Sequence, residues 1–124
     1  MAYAGCLRLV GYAEAKAALA ARGPEWGLGF ALGPDGSSSG SCWQGIDLDD
    51  IEANGLSDLA NEWIRGKHAD DGYVELSPSG RGMHIIGHGR PFQTLGNNGS
   101  GIEAYSSGRF FTVTEKPARL RQDA

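Results

Sequence analysis

Apolar and polar positions alternate along this chain with two distinct periods. Leu56, Leu59, Ala60, Trp63 and Ile64 repeat at i, i+3, i+4, i+7 and i+8, so the pattern predicts a helix over Leu56–Lys67 with one buried face. Tyr12–Arg22 is rich in alanine, holds no glycine or proline, and ends at Gly23-Pro24, which predicts a second helix with a clear stop. Short runs rich in β-branched and aromatic residues predict strands at Trp26–Leu32, Trp43–Leu48, Tyr73–Leu76, Met83–Ile86, Ile102–Tyr105 and Arg109–Thr114. Ser77-Pro78-Ser79-Gly80 and Ser106-Ser107-Gly108 read as turns, and Gly33–Ser41 and Pro91–Gly101 as loops. The order is helix, two strands, helix, four strands, with no internal repeat. The pattern predicts an α+β fold, mainly an antiparallel sheet with helices packed on one face.

Length and charge narrow the functional classes. At 124 residues the chain suits one domain, residues 1–124. A hydrophobic share of 40% and a charged share of 21% favour neither disorder nor a membrane span. The net charge of −4 argues against a general nucleic-acid coat protein, which needs excess positive charge. The charge is uneven, however. Residues 1–78 carry 5 Lys/Arg against 12 Asp/Glu, whereas residues 79–121 carry 6 (Arg81, Arg90, Arg109, Lys116, Arg119, Arg121) against Glu103 and Glu115. Such a split suits metal ligands facing phosphate ligands, or simply an acidic protein with a basic tail. Cys6 and Cys42 form no CxxC and have no nearby histidine, so neither a zinc site nor a disulfide scaffold is expected. Without a charged n-region or an apolar h-region ahead of Cys6, the expected location is the cytoplasm, away from membranes.

Three clusters carry candidate chemistry. In Ile46-Asp47-Leu48-Asp49-Asp50, Asp47 and Asp49 lie two apart on a strand, roughly 6.5 Å by strand geometry and on one face, which suits a hard divalent cation. A solvated acidic turn is the plain alternative. An EF-hand is excluded, because Ile51 and Glu52 stand where a ligand and a glycine are required. In Ser77–His84, two glycines allow close backbone approach, and Ser79, Arg81 and His84 offer donors for phosphate oxygens. The stretch is not a P-loop, a GxGxxG fingerprint or a GxSxG elbow, and an ordinary hairpin turn would look similar. In Ile102–Tyr105, Glu103 is an acid in an apolar strand and needs a partner, either a cation shared with Asp47 and Asp49 or Arg109. His68 and His88 stand alone, Trp26, Trp43 and Trp63 have core-like spacing, and Asp70-Asp71 reads as a loop.

Read in order, GIDLDD, ELSPSGRGMHI and GIEAYSSGRFFTVT resemble the three motifs of phage and plasmid primase-polymerases of the archaeo-eukaryotic primase superfamily. WGLGFALGPDG before the first motif and GRFFTVT after the third resemble that family's flanks, so the resemblance spans roughly residues 10–116. It implies an RRM-like, palm-like catalytic sheet. Asp47, Asp49 and Glu103 would then be the catalytic, metal-binding acids, with Mg²⁺ or Mn²⁺ as cofactor. His84, Ser79, Arg81 and Arg109 would hold the nucleotide. The implied chemistry is nucleotidyl transfer by a DNA primase or polymerase core, with NTP or dNTP and a DNA template-primer as partners. A partner helicase or primase subunit would assist. The chain begins close to its first helix, and Thr114-Glu115 stands where the family carries Thr-Gly, so the expected unit is a minimal core, truncated relative to the family. The alternative is a primase-like binding protein without activity, serving as a replication accessory or as an inhibitor of a nucleic-acid enzyme.

Overall fold

The computed structural model describes residues 2–3, 6–66 and 73–118, of which residues 2–3 and 6–9 are described by their backbone alone. Eight strands and two helices follow in the order β1 (Ala2–Tyr3), β2 (Cys6–Leu9), α1 (Tyr12–Ala20), β3 (Leu28–Pro34), β4 (Cys42–Leu48), α2 (Ser57–Ile64), β5 (Tyr73–Leu76), β6 (Met83–Gly89), β7 (Ile102–Tyr105) and β8 (Arg109–Val113). Among the described residues every strand pairing is antiparallel.

The β3–β4 hairpin organises the sheet. Its arms pair only near the tip, at Gly33↔Trp43 and Pro34↔Cys42, and then separate. β8 pairs along the β3 arm from Leu28↔Val113 to Leu32↔Arg109. β7 pairs along the β4 arm, while β6 and then β5 extend the sheet from the other edge of β4. Gly33 sits at φ +135°, a backbone conformation that L side chains rarely adopt. Alternation along β4 supplies two cores. Ile46 and Leu48 face α2, packing with Met83, Ile85, Leu56 and Ala60. Gly45 faces the other way, and there Leu32, Ile86, Tyr105 and Phe111 form a second cluster.

The α2 stripe packs as its spacing requires: Leu56 and Ala60 are buried, and Leu59, Trp63 and Ile64 lean on the same core. The helix stops at Ile64, and Lys67, with His68 and Asp70-Asp71 beyond it, lies outside the described residues. So do Arg119 and Arg121 of the basic tail. α1 ends at Ala20, two residues early, as the Ala21 and Arg22 N–H groups turn back to the carbonyls of Ala18 and Leu19. β3 starts and ends two residues later than the sequence suggests, and β6 runs on to Gly89 because the Cys42–Gln44 segment of β4 offers it ladder partners. The strands β1 and β2 precede the first helix, where the sequence reading has none. Two- and four-residue segments hold too few alternating positions to declare themselves. Among the described residues no helix is long and apolar enough to cross a membrane.

Candidate metal and phosphate site

Strand register gathers the chemistry. Glu103 on β7 lies opposite Asp47 on β4, Asp47 lies opposite His84 on β6, and His84 lies opposite Glu75 on β5. Directly opposed residues project to the same face, so four strands present one row of Glu103, Asp47, His84 and Glu75. Asp49, two residues past Asp47, joins that face where β4 ends. Its backbone is clamped: the Asp49 N–H donates to the Gly101 carbonyl at 2.7 Å, and Asn54 Nδ2 donates to the Asp49 carbonyl at 2.7 Å. A side chain at Gly101, which has φ +83°, would collide with Asn54 and crowd Asp49.

Asp47, Asp49 and Glu103 each offer a carboxylate oxygen, and these three atoms lie within 4.8 Å of one another. Burial, followed by the neighbouring Asp49 charge and then Glu103, pushes the Asp47 carboxyl up to about 6, against the pull of His84 and Arg109. Asp47 Oδ1 is buried with no hydrogen-bond partner. An all-oxygen donor set with an orphaned buried oxygen matches the chemistry of a hard divalent cation.

The remaining walls are cationic and aromatic. Arg109 Nη2 donates to the Tyr105 hydroxyl at 2.8 Å, and that hydroxyl donates to Glu103 Oε1 at 2.7 Å. Glu103 therefore meets Arg109 through Tyr105. The Arg109 guanidinium also stands 4.5 Å from the Tyr105 ring centre. The hydrogen bond to Glu103, then burial, holds the Tyr105 phenol above its usual range. His84 is buried, stacks on Phe111 at 5.1 Å, and directs Nε2 toward Asp47 Oδ1 at 3.8 Å. Asp47, His84, Glu103, Tyr105 and Arg109 line one cleft of about 200 Å³, and Phe110, 64% exposed, stands at its rim.

Ser79 and Arg81 are placed differently. The Ser79 hydroxyl pairs with Ser77 Oγ at 3.1 Å and accepts the Arg81 N–H at 3.1 Å, so it stabilises its own turn. Arg81 lines a second cleft, also about 200 Å³, between that turn and α2 on the opposite sheet face. Chemistry, not size, separates the two clefts: the first holds Glu103 and Asp47 with its orphaned oxygen. His88, solitary in sequence, is paired by folding with Asp35, Nε2 to Oδ2 at 2.7 Å, beside a Trp43 that is 39% exposed.

Two residues of the site carry no role in the sequence reading. Tyr105 links Arg109 to Glu103, and Glu75, wholly buried, backs His84 through a 3.1 Å bond between Glu75 Oε2 and His84 Nδ1. The signal for Glu75 was the one that singled out Glu103, an acid within an apolar strand (Tyr73-Val74-Glu75-Leu76).

No protein-family model matches the chain, and no solved structure matches it. The DNA primase-polymerase of Nitratiruptor phage NrS-1 is 34% identical over 116 residues, an alignment that covers 89% of this chain. The chain spans about 15% of that relative's length. Over most of its own length, this chain is similar to one portion of a phage DNA primase-polymerase.

Proposed function

We propose that the chain is a minimal primase-polymerase catalytic core that performs metal-dependent nucleotidyl transfer. The carrying observation is the convergence of Asp47, Asp49 and Glu103, with ligand atoms within 4.8 Å, in a chain 34% identical to part of a phage DNA primase-polymerase. In this reading the folded-over antiparallel sheet is the palm-like, RRM-related platform, and the three acids hold Mg²⁺ or Mn²⁺. The reaction class is in-line attack of a 3′-hydroxyl on an α-phosphate, with pyrophosphate leaving. A bound divalent cation supplies charge neutralisation and lowers the pKa of the attacking hydroxyl.

The protein's own groups have separate tasks. Asp47, Asp49 and Glu103 present oxygens on one face of the strand ends, held there by the β4–β7 register and by the clamp on Asp49. Of the phosphate-holding set Ser79, Arg81, His84 and Arg109, His84 and Arg109 line the same cleft as Asp47 and Glu103 and are assigned the triphosphate. Ser79 shapes the turn leading into β6, and Arg81 lines the cleft on the opposite sheet face, away from the carboxylates. DNA and NTP or dNTP are the substrates of this reading, and a partner helicase or primase subunit would strengthen the hold of a chain of net charge −4 on its template.

Primer extension tests the assignment. With Mn²⁺, a dNTP and primed DNA, the wild-type chain is expected to extend the primer. Glu103→Gln is expected to lose at least about 100-fold of that rate, the scale on which a preorganised charge-stabilising group matters. Extension that survives the substitution would remove Glu103 from the catalytic set.

A further inference from the structure

Glu75 has no exposed surface and sits on a four-residue strand at the end of the sheet order, where an unpaired carboxylate would be strongly destabilising. It is fully engaged instead. Oε2 accepts the Thr114 N–H at 2.9 Å, and Oε1 accepts the Glu115 N–H at 3.2 Å. Oε2 also meets His84 Nδ1, at 3.1 Å. Tyr73 leans on the same group: burial, then a hydrogen bond to Glu75, raises its phenol above the usual range.

From this arrangement we infer that Glu75 is a positioning residue for His84, a role that rests on the nucleotide-binding reading of the cleft. Both Glu75 oxygens already accept backbone N–H groups, so the carboxylate is assigned the acceptor side of its bond to the ring and His84 Nδ1 the proton. The opposite ring atom, Nε2, is therefore the one presented to the cleft, 3.8 Å from Asp47 Oδ1. Phe111 stacks on the ring at an interplanar angle of 30°, so ring tilt and ring flip are both restrained. One carboxylate thus fixes which nitrogen a triphosphate meets. It also ties β5 to the chain leaving β8, alongside the Leu76 N–H to Lys116 carbonyl bond at 2.8 Å and the Thr114 Oγ1 to Leu76 carbonyl bond at 2.6 Å.

A purely structural clamp needs only the two bonds to Thr114 and Glu115. The bond to the histidine of the cleft distinguishes positioning from clamping. Glu75→Gln keeps the shape but turns one acceptor into a donor, which then faces either a backbone N–H or His84 Nδ1. The cost of misorienting a histidine by losing its backing partner is about 10- to 100-fold in ligand affinity where this has been seen for metal-bound histidines.

Two measurements decide it. A long-range ¹H–¹⁵N spectrum of the wild-type imidazoles reads the ring protons directly and needs no variant. A protonated Nδ1 on His84 is expected, and an unprotonated one overturns the proposal whether or not nucleotide binds. Separately, dGTP with Mn²⁺ is titrated into the wild type, Glu75→Gln, His84→Ala and the double variant. Glu75→Gln is expected to weaken binding about tenfold in the wild-type background and to add nothing in the His84→Ala background. Equal losses in both backgrounds would show a structural clamp and overturn the positioning role. A wild-type chain with a protonated His84 Nδ1 that binds no dGTP would overturn the nucleotide reading, while the orientation of the ring by Glu75 stands.

Discussion

Asp47 shows at the scale of one residue what the site costs the fold. Its side chain is 23% exposed, lies near Asp49 and Glu103, and has one buried oxygen without a partner. Folding raises its pKa from 3.8 to about 6, so the folded state holds the proton more tightly than the unfolded chain does. The sign follows from linkage: the folded state binds more protons across that window, and stability falls as pH rises through it. Asp47→Asn removes the buried charge and keeps the shape. It is expected to stabilise the metal-free chain at pH 7.5 by on the order of 2 kcal/mol, and by almost nothing below pH 4. Urea midpoints at the two pH values check this. A variant less stable than the wild type at pH 7.5 would mean that the charge is compensated in a way the geometry does not show. Much of this residue-level picture was legible beforehand, because an i, i+2 acid pair on a strand and an acid in an apolar strand are both local signals. Glu75 gave the same local signal as Glu103. What the sequence alone could not supply was its register: only the Glu75↔His84 pairing reveals which histidine it serves.

Elements were read well where periodicity is long and poorly where pairing overrides propensity. The five-residue stripe of α2, and the strands β5 and β7, lie where the pattern put them. The end of β6 at Gly87-His88-Gly89 does not look like a strand, but β4 supplies a partner for each residue. Gly45 is the most constrained of the element-level choices. A Cβ there would stand 2.5 Å from both Leu32 Cδ1 and Phe111 Cε2. These side chains belong to the cluster beneath His84 and Tyr105, so a bulkier residue would push β4 away from β3 and β8. Gly45→Ala is accordingly expected to destabilise by about 1–3 kcal/mol through overpacking. Thermal denaturation checks it, and an unchanged midpoint would show that the two arms of the opened hairpin are less closely packed than the structure has them. The sequence gives no warning of this contact, since Leu32 and Phe111 are brought to Gly45 only by the splayed hairpin.

On the scale of the whole molecule, the opened β3–β4 hairpin explains why the chemistry gathers in one place. β7 and β8 enter between its arms, which brings Glu103 beside Asp47 and sets Arg109 close by. There Asp47 of β4 faces Glu103 and Tyr105 of β7 and Arg109, Phe110 and Phe111 of β8. The α+β class and the antiparallel sheet were legible from the order of the patterned segments, whereas the opening of the hairpin was not, because it depends on which strands pair at a distance. A site that joins three carboxylates to His84 and Arg109 is central to the account, and nucleotide binding tests it without relying on template-gripping surface. The measurement is a calorimetric titration of the chain with a dNTP, with and without Mn²⁺, using Asp49→Asn as the matched control. Binding is expected to require Mn²⁺ and to fall at least about tenfold in the variant, whose exposed side chain should leave the fold intact. A folded wild-type chain that binds no dNTP, or binds it equally well without Mn²⁺ and in Asp49→Asn, would contradict it.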